Sequence, residues 1–168
     1  AHEMGEVDVD DLHREDGYGK WEAYGQSKVA NLRCGYELQR RLERAGVEGT
    51  KGVACHPGDA DTNRQYRGPQ ESGSRLRYGL MRVANTVFAQ SAAKGALPML
   101  YAATADGIEG GEYVGPGGFM GMRGKPELQQ SNAASRDERT ARRLWDASET
   151  VTGVEFAFDR ATTFSTQA

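Results

Sequence analysis

The sequence has 168 residues, enough for one domain with a hydrophobic core, and 27% of them are charged. Its formal net charge of −3 argues against a nucleic-acid surface, which needs a basic patch, so no nucleic-acid partner is expected. No apolar run approaches the ~20 residues of a membrane helix, and no basic start followed by an apolar stretch indicates a signal peptide. We therefore expect no membrane partner.

The cysteine content favours a reducing compartment. Cys34 and Cys55 form neither a disulfide framework nor a C-x-x-C motif, so we predict a cytoplasmic protein. The neighbours Cys55 and His56 have the chemistry of metal ligands, but a third or fourth ligand is not evident in the sequence. We therefore interpret Cys55 as a buried strand cysteine and predict no metal site.

An acidic segment and a long helix open the chain. Residues 1–20 are rich in Asp and Glu without a helical period, which predicts a solvated loop. Apolar residues then recur at helical spacing and predict an amphipathic helix from about Glu22 to Ala45, with Gly46 as its C-terminal stop. These apolar positions are Val29, Leu32, Tyr36, Leu38 and Leu42.

The first turns of this helix carry a chemically useful pair of side chains. Tyr24 and Lys28 are four residues apart, which places them on one helix face, one turn apart. A free tyrosine has a pKa of ~10, and a nearby positive charge favours the phenolate and lowers that pKa. Such a tyrosine can donate a proton to a carbonyl oxygen or accept one from an alcohol. From spacing alone, the alternative is an exposed lysine beside a half-buried tyrosine on an ordinary amphipathic helix.

A short apolar strand is predicted at residues 52–56, and a Pro57-Gly58 turn ends it. Ligands of open α/β sheets lie beyond the carboxyl ends of the strands. Residues 57–62 are therefore expected where a cofactor would bind. The alternative is a plain strand-ending turn in which Thr62 caps a following helix.

The rest of the chain predicts more helices and one more strand. Apolar spacing predicts a helix within residues 76–88 and another at 92–105, the second kinked by Pro98. The apolar side of the second is expected to consist of Leu97, Leu100 and Tyr101.

A final strand is predicted at residues 111–114. Its neighbours Gly111, Gly115 and Gly117 have the G-x-x-x-G-x-G spacing of a phosphate-binding loop. Pro116 lies within this pattern and no helical period follows, so we predict a surface loop instead.

The carboxyl-terminal residues predict one more helix and a tail. Residues 135–138, S-R-D-E, match a capping box, which predicts a helix capped by Ser135, with Glu138 at its third position, that ends by Gly153. Residues 154–168 are predicted to be a frayed tail.

Two motifs, in this order and at this spacing, resemble the short-chain dehydrogenase/reductase family. Residues 23–32, A-Y-G-Q-S-K-V-A-N-L, resemble the catalytic helix of the family. Residues 55–63, C-H-P-G-D-A-D-T-N, resemble its Pro-Gly turn, which passes under the nicotinamide. The resemblance looks closest to the branch that contains the retinol dehydrogenases and runs from Ala1 to about Trp145.

The resemblance implies a function for these motifs. Tyr24 would be the catalytic acid/base, and Lys28 would lower its pKa and hold the cofactor ribose. Gly58 would let the backbone approach, the Ala60 main chain would face the nicotinamide amide, and Thr62 would anchor that amide or the phosphates. The reaction implied is hydride transfer between NADP or NAD and a small-molecule carbonyl or alcohol. The site residues so implied are Tyr24, Lys28, Pro57, Gly58, Ala60 and Thr62.

The same resemblance implies the fold. It is α/β, a Rossmann-type doubly wound parallel sheet with helices on both faces, and residues 1–153 would form its carboxyl-terminal half. The phosphate-binding loop and the catalytic serine of the family belong to the other half. We therefore expect this chain alone to be inactive, as part of a longer enzyme. A homo-oligomer is possible.

Two other functions remain open. A Tyr-x-x-x-Lys pair also serves epimerases and dehydratases on the same scaffold. The chain is alternatively a truncated, non-catalytic interaction module. The sequence does not specify the substrate, the choice between NAD and NADP, or the oligomeric state.

Overall fold

The computed structural model describes residues 6–15, 17–58, 90–118 and 121–158. Within these ranges the chain forms α-helices, a short 3₁₀ helix and a three-stranded sheet. The predicted α/β class is confirmed. No helix in these ranges is long and apolar enough to cross a membrane. The helices are α1 (Lys20–Arg44), α2 (Ala92–Thr104) and α3 (Glu138–Thr152), and the strands are β1 (Ala54–Cys55), β2 (Tyr113–Pro116) and β3 (Pro126–Gln129).

The chain divides into two units. The first comprises residues 1–54, 109–112 and 130–168, and it contains α1 and α3. The second comprises residues 55–108 and 113–129, and it contains α2, β2 and β3. The helix predicted within residues 76–88 lies outside the described residues. The domain boundary predicted at residue 153 stays a prediction.

Helix α1 has the position and the apolar face that its sequence predicts. It runs from Lys20 to Arg44, against a predicted Glu22 to Ala45. Basic side chains lie in its last turn, where they complement the negative end of the helix dipole. Leu38 is half-buried, and the other predicted apolar positions are buried. Those positions are Val29, Leu32, Tyr36 and Leu42.

The core of the first unit includes part of the acidic segment before α1. Val7 packs with Val29 of α1 and Leu144 of α3 in one buried cluster. Val9 and Leu12 pack against the edge of this cluster. The prediction of a solvated loop is therefore wrong for these apolar residues, because they cover the face that α1 and α3 share.

A buried carboxylate holds together the last turns of α1. The Glu37 side chain is 0% exposed and accepts hydrogen bonds from Arg40 Nε, Arg41 Nε and Arg44 Nη2, each at 2.9 Å. Burial by itself raises the pKa of Glu37, but these hydrogen bonds and the charge of Arg40 outweigh it. The pKa therefore lies below its ordinary value of 4.5. Sequence periodicity did not predict a charged residue at a core position.

Helix α3 begins later than the predicted capping box. Asp137 is the N-cap and accepts a hydrogen bond from the Arg139 backbone N–H at 3.1 Å. Ser135 is buried within the 3₁₀ helix Ala134–Arg136, and its hydroxyl donates to the Asn132 carbonyl at 2.7 Å. The predicted N-cap at Ser135 is wrong because that hydroxyl is engaged in the preceding turn. The helix ends before Gly153, as predicted.

Trp145 of α3 is covered from two directions. The Arg41 guanidinium lies 4.8 Å from its ring centroid, within cation–π range. The Phe156 ring lies 5.1 Å from it in a tilted arrangement. Residues beyond the end of α3 thus pack back onto that helix.

The sheet is mixed and has the order β1-β2-β3. β2 and β3 are antiparallel, with Tyr113 opposite Gln129 and Pro116 opposite Pro126. On β1, the Ala54 N–H donates to the Glu112 carbonyl and the His56 N–H to the Val114 carbonyl, both at 2.9 Å, which is a parallel progression. The predicted all-parallel sheet is therefore wrong for the described strands. A short connection such as 117–125 can join only an antiparallel pair, because a parallel pair needs a long crossover.

One strand prediction is also corrected, and one strand was not predicted. The predicted strand at 111–114 is shifted to Tyr113–Pro116, and all of β2 is buried. Gly115 therefore lies inside a strand, where a surface loop was predicted. β3 was not predicted, because Pro126–Gln129 has no alternating apolar pattern.

Helix α2 contacts β2 and β3. Ser91 is its N-cap and accepts from the Lys94 backbone N–H. Gly95 and Pro98 are its buried positions. Leu97 and Leu100 are 40% and 56% exposed, so the predicted apolar side is not the buried one.

Candidate active site

One group of predicted site residues is the Tyr24–Lys28 pair in the opening turns of α1. Both side chains are half-buried, and the Lys28 ammonium lies 5.2 Å from the centroid of the Tyr24 ring. This distance is within cation–π range, so the charge lies beside the phenol as the sequence spacing predicts. The Ser27 hydroxyl between them donates to the Tyr24 carbonyl at 2.7 Å, which engages it in the helix itself.

The loop before α1 is fastened beside this pair. Arg14 donates to the Gln26 side-chain oxygen at 3.0 Å and forms an ion pair with Glu22, also at 3.0 Å. The Gln26 amide in turn donates to the Leu12 carbonyl at 3.3 Å. Gln26 is 6% exposed, so this contact fixes the loop against the helix turn that carries Tyr24. Sequence reasoning missed it, because nothing in the pattern pairs Arg14 with a residue twelve positions later.

A separate group of predicted site residues lies in the turn after β1. Pro57 is exposed and Gly58 is half-buried. Gly58 has φ +67°, in the left-handed region that favours glycine, and a Cβ there would overlap the Met122 carbonyl group. The predicted cofactor contacts Ala60 and Thr62 lie outside the described residues.

The structure brings Tyr24 and Lys28 together on α1, and Pro57 and Gly58 together in the turn. The pair belongs to the first unit and the turn to the second. His56 and Gln90 flank the turn and contact its backbone. Sequence reasoning assigned no contact of this kind to His56 or Gln90.

Cys55 does not have the environment predicted for it. It is exposed, whereas Cys34 is half-buried. Successive strand residues point to opposite faces, and here Cys55 takes the open one while its neighbours Ala54 and His56 are half-buried. Among the described residues, no group of three or more His, Cys, Asp or Glu side chains is arranged to hold a metal ion.

Comparison with known proteins identifies the family. The chain is 30% identical over 152 residues to short chain dehydrogenase/reductase dpmpH of Macrophomina phaseolina, and it covers 68% of that protein. The chain belongs to the short-chain dehydrogenase/reductase family. The predicted resemblance is thereby confirmed. No protein-family model matches the chain.

Two other relatives of the chain are much longer than it is. It is 33% identical to retinol dehydrogenase 14 of Mus musculus and 35% identical to polyprenol dehydrogenase of Mus musculus. In both comparisons 91% of the chain is covered, but only 42% of the relative. A crystal structure of an uncharacterised protein from Mycobacterium paratuberculosis is also similar, with a TM-score of 0.66 and 32% identity. That match covers 91% of this chain and 47% of the other.

Proposed function

We propose that this chain is part of an oxidoreductase that transfers a hydride between NADP or NAD and a small-molecule carbonyl or alcohol. The observation that carries the proposal is the Tyr24–Lys28 pair, a phenol beside an ammonium in a chain of this family. The names of two relatives, retinol dehydrogenase 14 and polyprenol dehydrogenase, support an alcohol or its carbonyl product as substrate.

In this proposal Tyr24 moves the proton. Its hydroxyl accepts the proton of an alcohol when the substrate is oxidised and donates it to a carbonyl oxygen when the substrate is reduced. Lys28 supplies a positive charge beside the phenol ring. Its position one helix turn away keeps that charge beside the phenol without any loop movement.

The donor set on α1 fits the ribose end of a nicotinamide dinucleotide. An ammonium and a phenol both donate hydrogen bonds to sugar hydroxyls. The Pro57–Gly58 turn would lie against the nicotinamide end, followed by Ala60 and Thr62. When bound, the nicotinamide supplies the hydride chemistry, while the protein supplies orientation and proton transfer.

The proposal includes the place of the chain in a larger enzyme. It would form the carboxyl-terminal half of a Rossmann-type domain, and another part of the protein would supply the phosphate-binding loop and the serine. Residues 1–168 alone would then bind neither NADH nor NADPH with useful affinity, because a pyrophosphate site at a helix N-terminus is not among the predicted contacts of this chain.

Tyr24→Phe tests the proposal in the native protein that contains this chain. Only the phenolic hydroxyl is lost, so we expect the chemical step to slow by about 10²–10⁴-fold while cofactor affinity changes little. Single-turnover kinetics measure the chemical step, and fluorescence titration with NADH and NADPH measures affinity.

Tyr18→Phe is the matched control. Tyr18 precedes α1 and is 74% exposed, so the same atom is removed without an expected change in rate. A decrease of less than threefold in the rate of the chemical step of Tyr24→Phe would exclude Tyr24 as the acid/base. A wild-type protein that binds neither cofactor would instead favour the non-catalytic interaction module. Bound cofactor without net redox turnover would favour an epimerase or dehydratase.

A further inference from the structure

One peptide group of the Pro57–Gly58 turn is held by side chains at both of its polar atoms. The Gln90 amide donates to the Pro57 carbonyl oxygen at 2.7 Å. At the opposite edge of the same peptide group, the Gly58 N–H donates to His56 Nδ1 at 3.2 Å. Gln90 is 6% exposed, and its own oxygen accepts from the Gly124 N–H at 3.4 Å. The orientation of this peptide is therefore fixed by residues outside the turn itself.

The hydrogen bonds assign one tautomer to His56. A backbone N–H can only donate, so Nδ1 must be the unprotonated nitrogen that accepts from Gly58. A neutral imidazole then carries its proton on Nε2, which lies 2.9 Å from the Gln129 side-chain oxygen and donates to it. The Gln129 amide donates onward to the Pro116 carbonyl at 2.8 Å. Because that carbonyl can only accept, the orientation of Gln129 and the tautomer of His56 agree.

The ring of His56 also has a shaped place on the sheet. It stacks on Tyr113 with centroids 5.2 Å apart and an interplanar angle of 25°. Gly115 has no side chain and so leaves space for the hydrogen bond between His56 and Gln129. A Cβ on Gly115 would overlap both His56 Nε2 and Gln129 Oε1. The glycine that mimics a phosphate-binding loop in the sequence is thus explained by packing against His56.

We infer that His56 is a positioning residue for the cofactor turn, acting through its Nδ1 acceptor, with Gln129 holding its tautomer and Gln90 holding the opposite side of the peptide. The inference rests on the proposed function, in which this turn lies under the nicotinamide. His56 itself does not contact the reacting atoms. It sets the orientation of the Pro57–Gly58 peptide at the end of the strand.

Two substitutions separate the acceptor from the ring. His56→Phe keeps a ring that can stack on Tyr113 but removes the acceptor, which leaves the Gly58 N–H without its partner. His56→Asn removes the ring but keeps an acceptor, because an Asn oxygen hydrogen-bonds the backbone N–H two residues later in an Asx turn. The two variants therefore make opposite changes to the Gly58 and Tyr113 contacts of His56, while both lose its contact with Gln129.

The experiment measures NADH and NADPH affinity of both variants in the native protein, with thermal unfolding in parallel. We expect His56→Phe to weaken cofactor binding about tenfold and His56→Asn to recover most of that loss, because both variants lose the bond to Gln129 but only His56→Asn keeps an acceptor for the Gly58 N–H. Equal affinity of His56→Phe and wild type would overturn the inference. So would weakening by both variants in proportion to their thermal destabilisation, since that would indicate a structural ring only.

A second measurement reads the tautomer of His56 directly in the wild-type protein. Nitrogen NMR with ¹⁵N-labelled histidine reports which ring nitrogen carries the proton, and the missing signal in His56→Asn assigns the resonance. We expect the Nε2–H tautomer; an Nδ1–H tautomer would overturn the inference and leave the proposed function intact. A wild-type protein that binds neither cofactor would overturn both, and Tyr24→Phe with normal turnover would overturn only the acid/base assignment.

Discussion

Replacing the buried carboxylate of α1 should destabilise the protein strongly. Glu37→Gln removes a charge that is 0% exposed and accepts hydrogen bonds from Arg40, Arg41 and Arg44. The new amide NH₂ group would also face a guanidinium, which is a donor facing a donor. Breaking a buried ion pair costs ~3–5 kcal/mol, but Arg40 and Arg41 are 24% exposed and Arg44 is 58% exposed, so water compensates part of the loss. We expect a loss of about 2–4 kcal/mol in the free energy of unfolding.

The matched control is Glu138→Gln, which also removes an acid that pairs with an arginine four positions later. Arg142 and Glu138 are 3.1 Å apart but 46% and 58% exposed, so that pair is worth at most ~0.5 kcal/mol. Urea unfolding followed by circular dichroism compares the two variants with wild type. If both variants lose the same free energy of unfolding, burial does not set the strength of the Glu37 interactions, and the reasoning fails.

The pH dependence of this difference follows from the lowered pKa of Glu37. A carboxyl whose pKa is lower in the folded than in the unfolded state contributes its full stabilisation above the unfolded pKa. That stabilisation declines as the pH falls below 4.5 and is lost once the pH falls below the folded pKa. The stability difference between wild type and Glu37→Gln should therefore narrow on acidification below pH 4.5. A gap that stays constant through this range would contradict a lowered pKa.

Two further predictions concern the candidate site. Lys28→Met should weaken NADH or NADPH binding, because the ammonium proposed to hold the cofactor ribose is lost; Lys20→Met, which removes an ammonium 5.2 Å from the Trp21 ring on the same helix, is the control that should leave the affinity unchanged. Gly107 has φ +83°, and a Cβ added there would have no atom within 4 Å, so Gly107→Ala should cost only the ~1–2 kcal/mol of a left-handed alanine. Gly58→Ala should cost more, because its Cβ would also overlap Met122. Urea unfolding compares the two, and equal losses would exclude the Met122 contact as a constraint.

The sequence predicted what local periodicity controls. Val29, Leu32 and Tyr36 recur at helical spacing, so α1 and its buried face followed from pattern alone. The Tyr24–Lys28 contact followed as well, because residues one turn apart on a helix meet whatever surrounds them.

What depends on distant partners could not be predicted. Glu37 is buried because arginines of its own helix neutralise it, whereas a hydropathy pattern places every charge outside. On α2, Leu97 and Leu100 were expected on the apolar side, but the buried residues are Gly95 and Pro98, and neither contributes to an apolar periodic pattern. The role of His56 depends on Gln129, seventy-three positions later, so no local pattern contains it.

The loop before α1 has a practical consequence for anyone who divides or shortens this protein. Val7 is 8% exposed and covers Val29, which is 0% exposed, while Arg14 is bonded to Gln26. A truncation placed at the visible start of the helix, near Gly19, would uncover that apolar surface and release the turn that carries Tyr24. Expression boundaries and split-protein designs should therefore keep residues 6–15 attached to α1, although their acidic composition makes them look dispensable.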